Sequence, residues 1–136
     1  MQRIGRLALI ALVVAIVLLG LGYGWGVSGR GALESSLDDV RQQLDIAEAR
    51  GHVLDARVSL YNVNFGDATR RFEEAKVPLR RLQQHYVDDG RDDAVRSIAA
   101  AIEHLEEAQR LAGKLDQAAN SKAGEALEAI KVATSK

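Results

Sequence analysis

Three histidines and five pairs of adjacent carboxylates are the side chains of this sequence best suited to metal or acid–base chemistry. The histidines are His52, His85 and His104. No two of them are three or four residues apart, so they do not form a metal-binding pair on one helix face. The carboxylate pairs are Asp38-Asp39, Glu73-Glu74, Asp88-Asp89, Asp92-Asp93 and Glu106-Glu107. Because adjacent residues of a helix point to different sides, these pairs are typical of solvated faces.

Other chemical motifs are missing from the sequence. The chain has no cysteine, which excludes disulfides, thiolate zinc sites and iron–sulfur clusters. The segment "DDGRDD", residues 88–93, has acidic spacing similar to a calcium loop but lacks the length and the closing glutamate of an EF-hand. No GxxxxGK, GxSxG or HExxH motif is present. We therefore expect no enzyme, and no catalytic, metal-binding or cofactor-binding residues.

The charge balance argues against nucleic acid as a partner. The formal net charge is −1, and two of the cations, Arg3 and Arg6, precede the first apolar segment. The other 16 Lys and Arg stand against all 19 Asp and Glu, which leaves −3 for the rest of the chain. A nucleic-acid-binding domain carries a basic surface, which this balance does not provide.

Residues 7–27, "LALIALVVAIVLLGLGYGWGV", form a segment of 21 residues without a charge. At about 1.5 Å per residue, a helix of this length reaches about 31 Å, close to the hydrocarbon thickness of a bilayer. The apolar core of a cleaved signal peptide is shorter, roughly 7–15 residues, and ends at a small-x-small cleavage site. "GVSG" matches such a site poorly. We therefore predict a permanent transmembrane signal anchor over Leu7–Val27.

The flanking charges predict the orientation of this anchor. Arg3 and Arg6 lie on the short N-terminal side, and cytoplasmic flanks are the positive ones. Residues 1–6 are then a cytoplasmic tail, and the part of the chain that follows the anchor is expected outside the inner membrane, in a periplasm. Tyr23 and Trp25 are expected at the outer membrane interface, where amphipathic rings settle. A bacterial source is suggested by the 13 Arg against 5 Lys, a bias typical of GC-rich genomes.

Glycines alternate with larger residues at the outer end of the anchor. They are Gly20, Gly22, Gly24 and Gly26. These form two overlapping small-xxx-small pairs, through which membrane helices approach each other closely. The other interpretation is flexibility, since glycine loosens a chain, and a glycine-rich neck follows at residues 28–32. The anchor contains no His, Cys, Asp, Glu, Lys or Arg, so we expect no haem ligand, proton relay or ion path in it.

After the neck, apolar residues recur alternately every four and every three residues. They are Leu33, Leu37, Val40, Leu44, Ala47, Gly51, Leu54, Val58, Tyr61 and Phe65. This 3.5-residue repeat indicates a helix packed along a partner, and it leaves open a homodimeric coiled coil over residues 33–65. A second stripe, with Ile46, Val53 and Leu60, widens the apolar face. We therefore expect the distal half of this helix to be buried on two sides.

Three further helices are predicted. Asn64 caps the second, with Asp67 in the capping-box position, and Pro78 is expected to kink it. The third follows the acidic turn at residues 88–93, and a shorter fourth follows a break at "AANSKAG". The apolar positions of the second helix are Ala68, Phe72, Ala75, Leu79, Leu82 and Tyr86. Those of the third are Ala94, Ile98, Ala101, Leu105, Ala108, Ala112 and Leu115, and those of the fourth are Ala123, Leu127 and Ile130. The predicted fold is all-α: one transmembrane helix, then an antiparallel bundle of three long helices and a short fourth over residues 33–136.

The predicted second helix carries a cluster of cations. They are Arg70, Arg71, Lys76, Arg80 and Arg81. A basic face of this kind can dock on an acidic protein surface or on anionic headgroups. The alternative is pairing within the helix with Asp67, Glu73 and Glu74, which serves solubility alone.

Part of this region resembles the tetratricopeptide repeat. The stretch "NFGDATRRFEEA" is similar to the second helix of that repeat, through Phe65, Ala68, Phe72 and Ala75. Ala56 corresponds to the small residue of its first helix, but Asp55 and Ser59 stand where the family has large residues. "GRDDAVRSIAAAI" repeats the pattern 26 residues later, not at the family's period of about 34 residues. The resemblance covers about residues 56–75 and implies a helix-pair module that binds protein.

These features predict a protein that functions by binding to other proteins. We expect a non-catalytic, single-pass accessory or structural subunit of a larger bacterial membrane complex, either respiratory, photosynthetic or secretory. Its partners would be the lipid bilayer and the integral membrane proteins of that complex. The alternative is a membrane-tethered, tetratricopeptide-like module that recruits a soluble periplasmic protein.

Overall fold

The structure is a computed structural model, and it describes residues 33–135. Contacts divide the chain into two compact units, Met1–Val40 and Arg41–Lys136. In the first unit, residues 33–40 are helical and exposed. The predicted anchor, its four glycines, Tyr23, Trp25 and the neck lie outside the described residues.

Four helices make up the described part of the second unit. They are α1 (residues 41–61), α2 (Phe65–Asp88), α3 (Asp92–Ala112) and α4 (Ala119–Thr134). Residues 33–135 contain no strand, so the prediction of an all-α bundle with a short fourth helix is confirmed for this part of the chain. No helix in the same range combines the length and the hydropathy needed to cross a membrane.

Side-chain contacts show that neighbouring helices run antiparallel. Three of the contacts between α1 and α2 show this directly, because their positions rise by seven residues along α1 and fall by seven along α2: Asp45–Arg81, His52–Glu74 and Ser59–Asp67. The helix α4 also runs antiparallel to α1, since Arg57 Nε donates to Asn120 Oδ1 at 2.7 Å and Gln117 Nε2 donates to Leu60 O at 3.3 Å. With α2 packed on α3 and α3 on α4, the unit is an up-down-up-down bundle.

The three turns all end the preceding helix with a Schellman motif. The diagnostic backbone bonds are Asn64 N to Ser59 O (2.8 Å), Arg91 N to Tyr86 O (2.9 Å) and Asp116 N to Leu111 O (3.0 Å). The motif requires one residue in the left-handed conformation. Gly90 adopts it at φ 67°, which glycine does without strain, whereas Val63 at 57° and Leu115 at 59° do so with a Cβ. Two of the three turns therefore hold backbone strain.

The start of α2 follows the capping prediction in part. Asn64 Oδ1 accepts a hydrogen bond from Asp67 N at 3.1 Å. The Asp67 carboxylate does not return a bond to the Asn64 N–H, because that N–H donates to Ser59 O and the carboxylate accepts from Ser59 Oγ at 2.6 Å. The helix continues through Pro78, which is buried.

The core is built mainly from alanine. Among the described residues, 12 of the 22 buried apolar residues are alanines, so the helices approach closely while each contact buries little area. Half of the ten largest fully buried side chains come from α2, where every predicted apolar position is buried. The prediction for α3 also holds up to Ala112, but Leu115 lies in the following turn and is exposed. On α4, Ala123 and Ile130 are buried and Leu127 is partly buried.

The expected burial of the first helix is wrong. The predicted seam is exposed at Leu33, Leu37, Val40, Leu44, Ala47, Gly51, Leu54, Val58 and Tyr61, and only Phe65 is buried. The helix α1 faces the bundle with the other stripe, and four of its residues are fully buried: Ala49, Val53, Ala56 and Leu60. At about 100° per residue the two stripes lie about 160° apart, so one helix cannot turn both towards the same three neighbours. Within a single chain, the distal half is buried on one side, not two.

Candidate functional site

An apolar stripe on α1 faces away from the bundle, and we call it the outer face. It consists of Leu44, Ala47, Gly51, Leu54, Val58 and Tyr61, all exposed. Its four large side chains keep much of their surface in water: Leu44 63%, Leu54 48%, Val58 58% and Tyr61 69%. Scattered exposed apolar residues are ordinary, but a contiguous stripe is typical of a protein-interaction surface.

The outer face keeps coiled-coil spacing throughout. Leu44, Gly51 and Val58 occupy the a positions of successive heptads, and Ala47, Leu54 and Tyr61 occupy the d positions. A Cβ added at Gly51 would meet nothing within 4 Å, so packing in the bundle does not explain this glycine. A small residue does allow another backbone to approach closely. The face therefore has the pattern of a surface made to receive a second helix.

Beside the outer face runs a row of polar contacts that we call the polar ladder. Its three rungs are Arg81 Nη2–Asp45 Oδ1 (2.7 Å), His52 Nδ1–Glu74 Oε2 (3.4 Å) and Ser59 Oγ–Asp67 Oδ2 (2.6 Å). The apolar pattern does not predict the ladder, whose signal in the sequence is the seven-residue spacing of Asp45, His52 and Ser59. The ladder ties one side of α1 to α2. These contacts form only in the rotation of α1 that turns the outer face away from the bundle.

The pKa shifts of Asp67 and Arg81 favour the ionised forms of these two ladder residues. A hydrogen bond from the Ser59 hydroxyl, with another from Arg70, lowers the pKa of Asp67 below its ordinary value. The Asp45 carboxylate raises the pKa of Arg81. All the shifts resolved in residues 33–135 likewise move away from neutral pH, lower for carboxyls and higher for guanidiniums. A general acid or base works best with a pKa near the operating pH, so these groups are suited to structural pairing.

The first two predicted docking cations lie among carboxylates. Arg70 bonds Asp67 and reaches Glu74 Oε1 at 2.7 Å, and these partners raise its pKa. Arg71 Nη1 lies 3.3 Å from Glu74 Oε2 and 3.9 Å from Asp55 Oδ2. Both side chains are thus used within the bundle, Arg71 partly across to α1.

The other three cations differ from one another. Lys76 is buried, and its Nζ lies 2.7 Å from Glu73 Oε2 and 3.1 Å from Gln109 Oε1, which joins α2 to α3. Arg81 belongs to the polar ladder. Arg80 is exposed and makes no ion pair within the described part of the chain. The structure therefore does not bring the five cations together as one unpaired surface, and their docking role stays a prediction.

Each histidine faces one carboxylate. His104 Nδ1 lies 3.2 Å from Glu125 Oε2 and links α3 to α4, while His85 Nε2 lies 3.3 Å from Asp89 Oδ2 one turn along α2. His52 is the middle rung of the polar ladder. Within the part of the chain that the structure describes, no three His, Asp or Glu side chains are placed to hold a metal ion.

A groove of about 620 Å³ lies between the start of α3 and the end of α4. Its cations are already engaged: Arg91 lies 4.5 Å from the centroid of the Tyr86 ring and donates to Ala133 O at 3.3 Å, and Arg96 bonds Asp93. Small-molecule sites are more enclosed and predominantly apolar. We therefore take the outer face of α1, not this groove, as the candidate functional site.

Compared with known proteins, the chain matches no family model, no curated protein and no solved structure. The tetratricopeptide resemblance thus rests only on the residues that carry it. All of these are buried in the bundle: Ala56, Phe65, Ala68, Phe72 and Ala75. Any bundle helix needs apolar residues at this spacing, so the bundle by itself accounts for them.

Proposed function

We propose that this chain is a non-catalytic accessory or structural subunit of a larger bacterial membrane protein complex. In this proposal Leu7–Val27 anchors the chain once in the inner membrane, with its N-terminus in the cytoplasm and its helical domain in the periplasm. The complex is a respiratory, photosynthetic or secretory assembly, and its integral membrane proteins are the partners of the anchor.

The observation that supports association most strongly is the outer face of α1. Leu44, Leu54, Val58 and Tyr61 are about half to two thirds exposed, although residues of these types are strongly stabilised by leaving water. The bundle has its own core on the opposite side of the helix and does not cover them. A surface of this kind is stabilised when another protein packs on it.

The anchor supports the membrane part of the proposal from sequence. The small-xxx-small pairs Gly20/Gly24 and Gly22/Gly26 favour close packing of this helix on other membrane helices. Docking of the subunit would then use two regions, the glycine pairs within the membrane and the helical domain outside it.

The experiment is gentle detergent extraction of the full-length chain, tagged at its C-terminus, from its native membrane, followed by mass spectrometry of the proteins that co-purify. We expect recovery in near-fixed ratio with one set of integral membrane proteins. The paired change Gly22→Leu and Gly26→Leu should release the chain from that set, because leucines hold the helices apart. The paired change Val13→Leu and Val17→Leu, on the opposite side of the same segment, is the matched control.

Two outcomes would argue against the subunit. Recovery of the chain without integral membrane proteins removes the proposed complex. Recovery with a soluble periplasmic protein, unaffected by the glycine changes, favours the tethered, tetratricopeptide-like module instead.

A further inference from the structure

We propose that the outer face of α1 is covered by a second copy of this chain, in a parallel, in-register, two-stranded coiled coil. The inference rests on the proposed function in one respect: both chains are anchored in one membrane from the same end. It names the occupant of the outer face, which the proposed function leaves unnamed.

The residue types on the outer face fit a two-stranded pairing. In parallel dimers a β-branched residue at a and leucine at d favour two strands, and Val58 and Leu54 occupy such neighbouring positions. In the in-register pairing each layer consists of one residue and its own copy. The layers of Ala47 and Gly51 are then small on both sides, so the two backbones approach closely there. The layers of Leu44 and Leu54 on either side pack leucine against leucine.

The flanking charges complement a second copy in parallel. In a parallel coiled coil, the residue at g of one chain faces the residue five positions later, at e, of the other. Arg50 at g then meets Asp55 of the second copy, and the twofold symmetry makes this contact twice. Arg50 is exposed, and the Asp55 side chain is 61% exposed. The neighbouring pairs, Gln43 with Glu48 and Arg57 with Asn62, bring no like charges together.

The same charges disfavour the antiparallel arrangement. The apolar pattern of α1 is nearly symmetric about its small residues, so an antiparallel pairing centred between Ala47 and Gly51 would also match leucine with leucine. That pairing places Glu48 opposite Glu48 of the second copy and Arg50 opposite Arg50. Like charges facing each other destabilise such a pair. The antiparallel pairing also brings Asp55 near Arg41 of the second copy, so the parallel arrangement keeps an attraction for Asp55, through Arg50, and removes both repulsions.

The part of the chain that precedes α1 supports the same direction. The predicted anchor ends at Val27, and the 3.5-residue spacing continues in the sequence from Leu44 back through Val40, Leu37 and Leu33. Two chains anchored in one membrane begin this repeat at the same height, which is the in-register parallel arrangement. Anchoring also confines both copies to one surface and raises their effective concentration.

The test uses cysteine cross-linking, to which the chain is suited because it has no cysteine of its own. In the parallel dimer, Val58 meets Val58 of the second copy. In the antiparallel pairing it lies opposite residue 40, about 27 Å along the helix from its own counterpart. A Val58→Cys variant of the full-length chain, oxidised in its native membrane, should therefore form a disulfide-linked dimer in high yield. Val132→Cys on α4 is the matched control, since Val132 is 56% exposed and Val58 is 58% exposed.

Two further changes tie the cross-link to the outer face. Leu54→Glu, added to the Val58→Cys chain, should reduce dimer affinity about tenfold or more, because each copy loses a buried leucine. Val132→Glu should leave the cross-link unchanged. Arg50→Asp should weaken the cross-link several fold, and the double change Arg50→Asp with Asp55→Arg should restore it. Circular dichroism of each variant, with helicity and melting compared with the parent chain, shows that folding is retained.

The outcomes separate this inference from the proposed function. If Val58→Cys cross-links no better than Val132→Cys, or if Leu54→Glu leaves the yield unchanged, the second copy is not the occupant. Co-purification with integral membrane proteins would in that case still support the subunit. If the cross-link forms as expected and no membrane protein co-purifies, the dimer stands and the accessory-subunit function is wrong.

Discussion

The two apolar stripes of α1 have similar sequence patterns, but one is buried in the bundle and the other is exposed. Val53 and Leu60 are fully buried against the other helices, whereas Leu54 and Val58 on the outer face remain about half exposed. Hydrophobicity therefore does not tell them apart. The polar ladder distinguishes them, because its contacts with α2 form only when α1 is rotated with the outer face away from the core. The difference teaches that one helix can carry a folding surface and an association surface on opposite sides.

The comparison is tested most strongly by deleting one leucine from each stripe. Leu60→Ala should lower the free energy of unfolding by about 2–5 kcal/mol, because it leaves a cavity in the core. Leu54→Ala should change it by less than about 0.5 kcal/mol, as is usual for surface positions. The measurement is urea unfolding of the full-length chain in mild detergent, at concentrations low enough that association contributes nothing. Equal losses for the two variants would show that α1 has no distinct inner and outer side.

Glycine at position 51 separates the two sides of α1 further, because a methyl group there would destabilise the fold of the single chain only if Gly51 were packed within the bundle. Gly51→Ala should raise the free energy of unfolding by about 1 kcal/mol, the difference in helix propensity, since the added Cβ meets nothing within 4 Å. Gly90→Ala is the contrasting change: at φ 67° it should lower stability by about 1–2 kcal/mol. A destabilising Gly51→Ala would mean that this part of α1 is packed within the bundle.

The turn after α1 is strained at Val63, which adopts the left-handed conformation. Val63→Gly should stabilise the fold by about 0.5–1 kcal/mol, because relief of the left-handed strain outweighs the added freedom of the unfolded chain. The same change at Leu115 should act in the same direction. Thermal melting of both variants beside the parent chain measures the effect. A lower melting temperature in both would show that the two turns are not strained.

The smallest expected change in stability concerns the contact between Ser59 and Asp67, the last rung of the polar ladder. The pKa of Asp67 is lowered in the folded state, so its contribution to stability is fully present above its ordinary pKa and is lost as the pH falls through the folded value. Ser59→Ala removes the largest cause of the lowering, and the pKa of Asp67 should rise back towards 3.8. Carboxyl NMR titration measures this shift. Glu107, whose pKa is lowered by Arg110, is the internal control and should titrate as in the parent chain.

The core of α2, α3 and α4 could be predicted from sequence because apolar spacing along a helix is local information. The cap by Asn64 and the acidic start of α3 could likewise be predicted, because they depend on neighbouring residues. The orientation of α1 could not, since it depends on contacts such as His52–Glu74 that join residues far apart in the chain. The strained turns were also missed, because neither Val63 nor Leu115 is a residue type that favours the left-handed conformation.

The central claim, that the outer face of α1 is an association surface, is tested most directly by its access to water in the native membrane. Val58→Cys and Val132→Cys place one thiol each at positions that the bundle exposes almost equally, 58% and 56%. Each full-length variant is treated with a bulky, membrane-impermeant maleimide, and the labelling rate is compared with the rate after dispersal in excess detergent at high dilution. We expect Val58→Cys to be labelled much more slowly than Val132→Cys in the membrane and equally fast after dispersal. Equal rates in the membrane would contradict it, because the outer face would then be uncovered where the protein acts.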